Sequence, residues 1–383
     1  MLELRKFVAP EYIFGAGAID LVGQYAHNFG ARKVFIVTDP GVIKAGWLEK
    51  VQTRIEAENI RCCIFSDISP NPRAEEVMAG AERYAAENCD VIVSVGGGSP
   101  MDCAKGIGIV VNNRKHILTF EGIDMVPIPG PPLICIPTTA GTSADVSQFA
   151  IINDTQNRVK KAIISKTTVP DIALIDPATS LTMDPYLTSC TAIDALVHAI
   201  EAYTSTANAP MFDLHALEAI RLISSNLEKV LQSPDDLELR SRIMHGSLQA
   251  GLAFSNASLG AVHAMAHSLG GYLDLPHGEC NAILLNHVME FNYQQTYERY
   301  ADIGRALGLD PGKRNKKEVK NSILNEIIRL KNTAGITRTL KERGTSISDI
   351  PQLAGKAIHD PCMVTNPRMP VQRDIEVIYE EAL

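Results

Sequence analysis

The chain has 383 residues, 45% of them hydrophobic and 21% charged, with a formal net charge of −8. That apolar content supports a large core and two domains, and the acidic balance, with no run of Lys and Arg, argues against nucleic acid as a partner. No apolar run reaches the ~18 residues of a membrane span, and the opening MLELRKFVAPEYIFG lacks the apolar centre of a secretory signal.

From about residue 30 to 180, short β-rich runs alternate with helical ones. RKVFIVTD predicts a strand, with a helix over 48–58 behind it. RCCIFSDI predicts a second strand followed by a helix over 74–87. DVIVSV is a third, ending in Gly96-Gly97-Gly98 and leading into a helix over 102–111. PLICIPT is a fourth, and ALID near residue 175 a candidate last strand. Continuous Val and Ile runs alternating with helices imply a parallel sheet covered on both faces. Beyond residue 185 helical periodicity takes over, over 189–204, 212–232, 234–255 and 262–272 and further on. The expectation is an α/β domain over residues 1–183 and an all-α domain over 184–383. Eight scattered cysteines form no Cys-x-x-Cys pair, which fits reduced thiols in a cytoplasm.

The third strand runs into SVGGGSPMDCAKG. Glycines let a backbone approach a phosphate, and free N–H groups at a helix start favour an anion. Ser99 fits the N-cap and Pro100 the first helical turn. The same residues also serve a plain tight turn, since neither Gly-x-Gly-x-x-Gly nor a P-loop is present. Asp39 ends the first strand, where a carboxylate can accept from an adenosine ribose and repel a 2′-phosphate; Asp39-Pro40-Gly41 is equally a turn signal. IPTTAGTSADVSQ places Thr138, Thr139, Thr142, Ser143 and Ser147 after the fourth strand, as diphosphate or ribose donors or as a polar cap. Lys160 either neutralises a phosphate or is solvated.

In the helical half, GAVHAMAHSLGGYLDLPHGECN holds His263, His267 and His277. His263 and His267 are four apart and share a helical face. His277 follows Gly-Gly and a Pro, which predicts a returning loop. TAIDALVHAIEAY sets Asp194 and His198 four apart on another helix. Asp194, His198, His263 and His277 would offer three imidazoles and a carboxylate, a set suited to Fe²⁺ or Zn²⁺. Glu201, three after His198, is a candidate acceptor behind a ligand. His215, His245 and His287 read as structural.

Taken together, GGGSPMDCAK, PTTAGTSADVS, AIDALVHAIEAYTS, GAVHAMAHSLGG with PHGECN, and Asn366-Pro367-Arg368 resemble, in order and over essentially the whole chain, the iron-containing (group III) alcohol dehydrogenases. The resemblance implies the dehydroquinate synthase-like architecture: an N-terminal dinucleotide-binding domain and a helical metal-binding domain. It implies Asp194, His198, His263 and His277 as metal ligands and His267 as the unligated histidine near the nicotinamide. Asp39, Gly97, Gly98, Ser99, Thr138, Thr139 and Lys160 match cofactor contacts, with Asp102 and Thr142 from the same two stretches, and Cys362 matches the substrate pocket. The implied activity is metal-assisted hydride transfer between a small primary alcohol or diol and NAD, in a homo-oligomer. Glycerol-dehydrogenase-like chemistry on the same fold, and a regulatory paralogue with little turnover, are the alternatives. Ser143-Ala144-Asp145 stands where the family usually has Gly-Ser-Glu, which bears on the diphosphate contact.

Overall fold

The computed structural model describes residues 4–310, 312 and 314–383. It comprises two compact units, Val8–Met183 and Asp184–Leu383, the second joined by the stretch that ends at Phe7.

The first unit runs β1 (Glu11–Phe14), α1 (Val22–Asn28), β2 (Lys33–Val37), α2 (Pro40–Lys44), α3 (Trp47–Glu56), β3 (Arg61–Phe65), α4 (Ala74–Ala86), β4 (Val91–Gly96) and α5 (Gly98–Asn113). It continues with β5 (Gly122–Ile123), β6 (Leu133–Pro137), β7 (Phe149–Asp154), β8 (Val159–Ile164) and β9 (Ile172–Ile175). Six strands form one parallel sheet in the order β1-β9-β6-β4-β2-β3. Side chains alternate across it. Phe35, Val37, Ile92 and Cys135 enter one core with Val77 of α4 and Ile107 of α5. Val34, Ile36, Val93 and Ile134 enter the other with Val22 of α1 and Val51 of α3. Burial on both faces is why these strands read as unbroken apolar runs.

Two features lie outside the sequence expectation. The edge strand β1 is four residues long and half exposed, so it carries little apolar signal. A second sheet, β5-β8-β7, contains an antiparallel β7–β8 hairpin. Its turn holds no glycine; Arg158 takes the left-handed φ of 50° instead. β8 also carries Lys160 and Lys161, which masks it as a loop. The start of α5 differs as well: Gly97 is the N-cap and the helix begins at Gly98, so Ser99 lies inside the first turn. Its hydroxyl accepts from the Asn71 N–H at 3.3 Å rather than capping the helix.

The second unit is helical: α6 (Pro185–Thr204), α7 (Pro210–Gln232), α8 (Leu237–Ala257), α9 (Ala261–Leu273), α10 (His277–Asn292), α11 (Tyr297–Ala306), α12 (Lys316–Thr333), α13 (Ile350–Ala357) and α14 (Gln372–Glu381). His277 is the first residue of α10, not part of a loop. Asp274 ends α9 with a left-handed φ of 54°, and Pro276 caps α10, so the chain reverses within three residues. Among the described residues, no helix is long and apolar enough to cross a membrane.

Candidate active site

Three helices of the second unit bring ligand atoms together. Asp194 from α6, His263 from α9 and His277 from α10 each offer one atom within 4.8 Å of the others. His263 Nε2 and His277 Nε2 lie 3.9 and 3.8 Å from Asp194 Oδ1. Asp194 and His263 are buried, and His277 is half-buried. This proximity depends on Gly278: a Cβ there would meet the Cys190 carbonyl oxygen of α6 at 2.2 Å. Only a residue without a side chain lets the start of α10 lie against α6.

His198 shares the α6 face of Asp194 but does not join that group. Its ring stacks on His263, with centroids 4.5 Å apart, and on Phe254 at 4.2 Å.

Glu201 serves His263 rather than His198. Its Oε2 accepts from His263 Nδ1 at 2.6 Å, and its Oε1 accepts from the Val262 N–H at 2.6 Å. Burial pushes its carboxyl up to about 7, against the N–H groups of Val262, Gly260 and His263, which favour the charged form. Burial and the nearby His267 hold His263 well below its ordinary value, so its imidazole is neutral. With Nδ1 bonded to Glu201, His263 Nε2 faces Asp194 and His277. A carboxylate-backed imidazole beside a half-buried second imidazole and a buried carboxylate is a donor set that fits a divalent transition metal.

His267, one turn beyond His263, is buried and paired elsewhere. Its Nδ1 bonds Asp360 Oδ2 at 2.8 Å, and Asp360 Oδ1 accepts from the Cys362 N–H at 2.8 Å. Burial alone would raise Asp360, but His267 and the Cys362 N–H outweigh it and hold the carboxyl below its usual range. Cys362 lies in the same cluster, and burial keeps it a neutral thiol. Asn366 ties the segment to α9: its Oδ1 accepts from the Ala261 N–H at 3.1 Å and from Asn292 Nδ2 at 3.0 Å.

In the first unit, the candidate cofactor residues gather at the C-terminal ends of the adjacent strands β2, β4 and β6, where open parallel sheets bind ligands. Asp39 caps α2 through the Val42 N–H at 3.0 Å and is half-buried. A Cβ on Gly97 would meet Thr139 at 3.1 Å, and one on Gly98 would meet Thr142 at 2.8 Å, so the glycine turn and the hydroxyl loop form one surface. The Thr138 N–H bonds the Gly96 carbonyl at 2.8 Å. Lys160 is buried with Nζ 2.6 Å from Asn71 Oδ1, beside the Ser99 contact. Asp102 points instead to β7, accepting from the Ile151 N–H at 3.2 Å. Ser143 has a left-handed φ of 49°, a conformation that favours glycine.

Residues 9–177 match the family described as iron-containing alcohol dehydrogenase, and residues 188–383 match its C-terminal domain. The chain belongs to the iron-containing alcohol dehydrogenase family. It is therefore an oxidoreductase acting on CH–OH groups. The chain is 38% identical over 371 residues to the 1,3-propanediol dehydrogenase of Citrobacter freundii, covering 96% of each. It is 35% identical to the NAD-dependent methanol dehydrogenase of Bacillus methanolicus, over 98% of this chain and 99% of that one. A crystal structure of a 1,3-propanediol oxidoreductase superposes with a TM-score of 0.96 at 36% identity, covering 100% of both chains.

Sequence reasoning missed Asp360, Asn281 and Lys105. Asn281 follows His277 by one helical turn, which is a usable signal. Lys105 is buried and its Nζ donates to the carbonyls of Ser147 at 2.9 Å and Phe149 at 2.7 Å. That fixes the far end of the hydroxyl loop to α5, and nothing in its spacing announces it.

Proposed function

We propose that this chain is a metal-dependent, NAD-linked dehydrogenase of small primary alcohols or diols, which in reverse reduces the aldehyde. The observation that carries this reading is the convergence of Asp194 Oδ1, His263 Nε2 and His277 Nε2 in a buried setting with Glu201 behind His263. His198, in ring contact with His263, is proposed as the fourth ligand. Iron is favoured by the family, with zinc as the competitor. Bound there, the cation would supply Lewis acidity to an alcohol oxygen, and NAD would supply the hydride acceptor.

The chain's own residues divide the remaining work. Glu201 holds the His263 tautomer so that its Nε2 faces the cluster. Asp360 orients the His267 ring through Nδ1, which leaves His267 Nε2 free of that bond to pass on the proton the alcohol releases. Cys362, kept as a thiol, lines the substrate side. Asp39 accepts from the ribose and disfavours a 2′-phosphate, while Gly97, Gly98, Ser99, Thr138, Thr139, Thr142 and Lys160 form the diphosphate and ribose surface. The α/β unit is thus the NAD-binding half and the helical unit the metal-binding half. Free cysteines, seven of them buried, support a reducing cytoplasmic setting. A homo-oligomer is proposed from the family and is checked by light scattering.

The test is NADH formation from a panel of short primary alcohols and diols after loading with Fe²⁺ or Zn²⁺. His263→Ala should lose both metal and turnover while keeping its circular dichroism. His267→Ala should keep its metal and lose about 10²–10⁴ in kcat. Full turnover by His263→Ala would sink the assignment, and metal loss in His267→Ala would reverse the roles of the two histidines.

A further inference from the structure

Asn281 is fully buried on α10, one turn after His277. Its Nδ2 lies 2.6 Å from Asp194 Oδ1, 3.1 Å from His263 Nε2 and 3.3 Å from His277 Nε2. One amide nitrogen therefore sits against all three candidate ligand atoms. The chemistry of the surroundings decides that nitrogen, and not oxygen, faces them. A carboxylate oxygen only accepts, so Asp194 Oδ1 at 2.6 Å calls for the N–H end of the amide. The other end of the amide explains nothing about its position, since Oδ1 is buried with no hydrogen-bond partner.

We propose that Asn281 is a positioning residue that stands in for the cation, holding the three ligand atoms together in the metal-free protein and competing with the metal for them. The inference rests on Asp194, His263 and His277 being metal ligands. An amide has two protons, and here its nitrogen faces three candidate ligand atoms, so it cannot serve all three at once. A divalent cation answers all three at once. A divalent cation would draw on the same three atoms that the amide nitrogen lies against. The amide must then give up at least part of its bonding. Removing it should penalise the metal-free protein more than the loaded one, which by linkage means tighter metal binding.

The experiment uses the full chain, stripped with a chelator and checked by elemental analysis, then reloaded with Zn²⁺. Melting temperature is read with and without zinc, and zinc affinity by competition with an indicator dye. For Asn281→Ala the expected loss in the metal-free form is about 2–6 °C. The zinc-loaded form should lose less than half as much, and zinc affinity should rise at least about threefold, the size expected when a bond made only by the metal-free form is removed. Asn281→Ser keeps one donor and should fall between wild type and Asn281→Ala; it also serves if the alanine variant does not survive stripping. Equal losses in both forms with unchanged or weaker zinc affinity would overturn the proposal, since a merely structural amide behaves that way. If wild type gains no stability from zinc, or His263→Ala binds it as wild type does, the ligand assignment itself falls.

Discussion

The two chemical ends of this protein are built on opposite plans. At the strand ends of the α/β unit, the surface is made of backbone and small hydroxyls, and its shape depends on what is absent: Gly97 and Gly98 leave room for Thr139 and Thr142. In the helical unit, the cluster is made of buried and half-buried side chains from three helices, and Asp194 and His263 are each held by a partner far away in sequence. The first plan tolerates solvent and relies on local chain geometry. The second relies on helix packing, so a change of one methyl group between helices reaches the chemistry directly.

The sharpest way to break that contrast is Gly278→Ala. The added Cβ meets backbone, not a flexible side chain, so α10 must move off α6. A loss of about 3 kcal/mol or more is expected, together with metal content below half of wild type, while NAD binding by the α/β unit stays intact. Elemental analysis and NAD titration check both halves, and normal metal content would show that the two helices are not held in register by this contact. Next is Arg343→Met. Arg343 donates through Nε to Glu279 Oε1 at 2.5 Å and through one terminal nitrogen, Nη2, to the same oxygen and to the Tyr186 hydroxyl. Glu279 is almost fully buried. Stranding its carboxylate should cost about 3–5 kcal/mol, and the double variant with Glu279→Gln should recover much of that. Failure of the double variant to recover would mean the ion pair is not the source of the loss.

A smaller effect separates the ends from the other side. Lys105→Met removes the ammonium that donates to the Ser147 and Phe149 carbonyls, at about 1–3 kcal/mol. It should raise KM for NAD severalfold and leave metal content unchanged; an unchanged KM would detach the hydroxyl loop from cofactor binding. The smallest expected change is a gain. Ser143→Gly relieves a left-handed side-chain-bearing residue and should stabilise the chain by about 0.5–1 kcal/mol, read as a rise in melting temperature. A loss instead would mean the Ser143 side chain contributes more than its backbone strain costs.

The same contrast explains what the sequence revealed. β2, β4 and β6 were legible because burial on both faces demands unbroken Val and Ile runs, and the Gly97–Gly98 turn was legible because glycine is the only answer to its close contacts. The hairpin of β7 and β8 was not, since Arg158 supplies a turn conformation usually announced by glycine or asparagine. Helical spacing paired Asp194 with His198 and His263 with His267, and periodicity supports no more than that. It could not report that Glu201 turns away from His198 to His263, 62 residues on. Nor could it report that His267 pairs with Asp360, because such contacts are made between helices whose approach no local pattern encodes.

Glu201 carries a wider consequence. Its carboxylate binds the opening N–H groups of α9 and contacts a ring of the candidate metal cluster, and a Cβ on Gly260 would lie 3.0 Å from Glu201 Oε1 and 2.9 Å from Asn366 Oδ1. Positions 201, 260 and 366 therefore cannot drift independently. Double-mutant cycles among them should be strongly non-additive, so a substitution at one of the three should be tolerated best when its neighbours are changed to match.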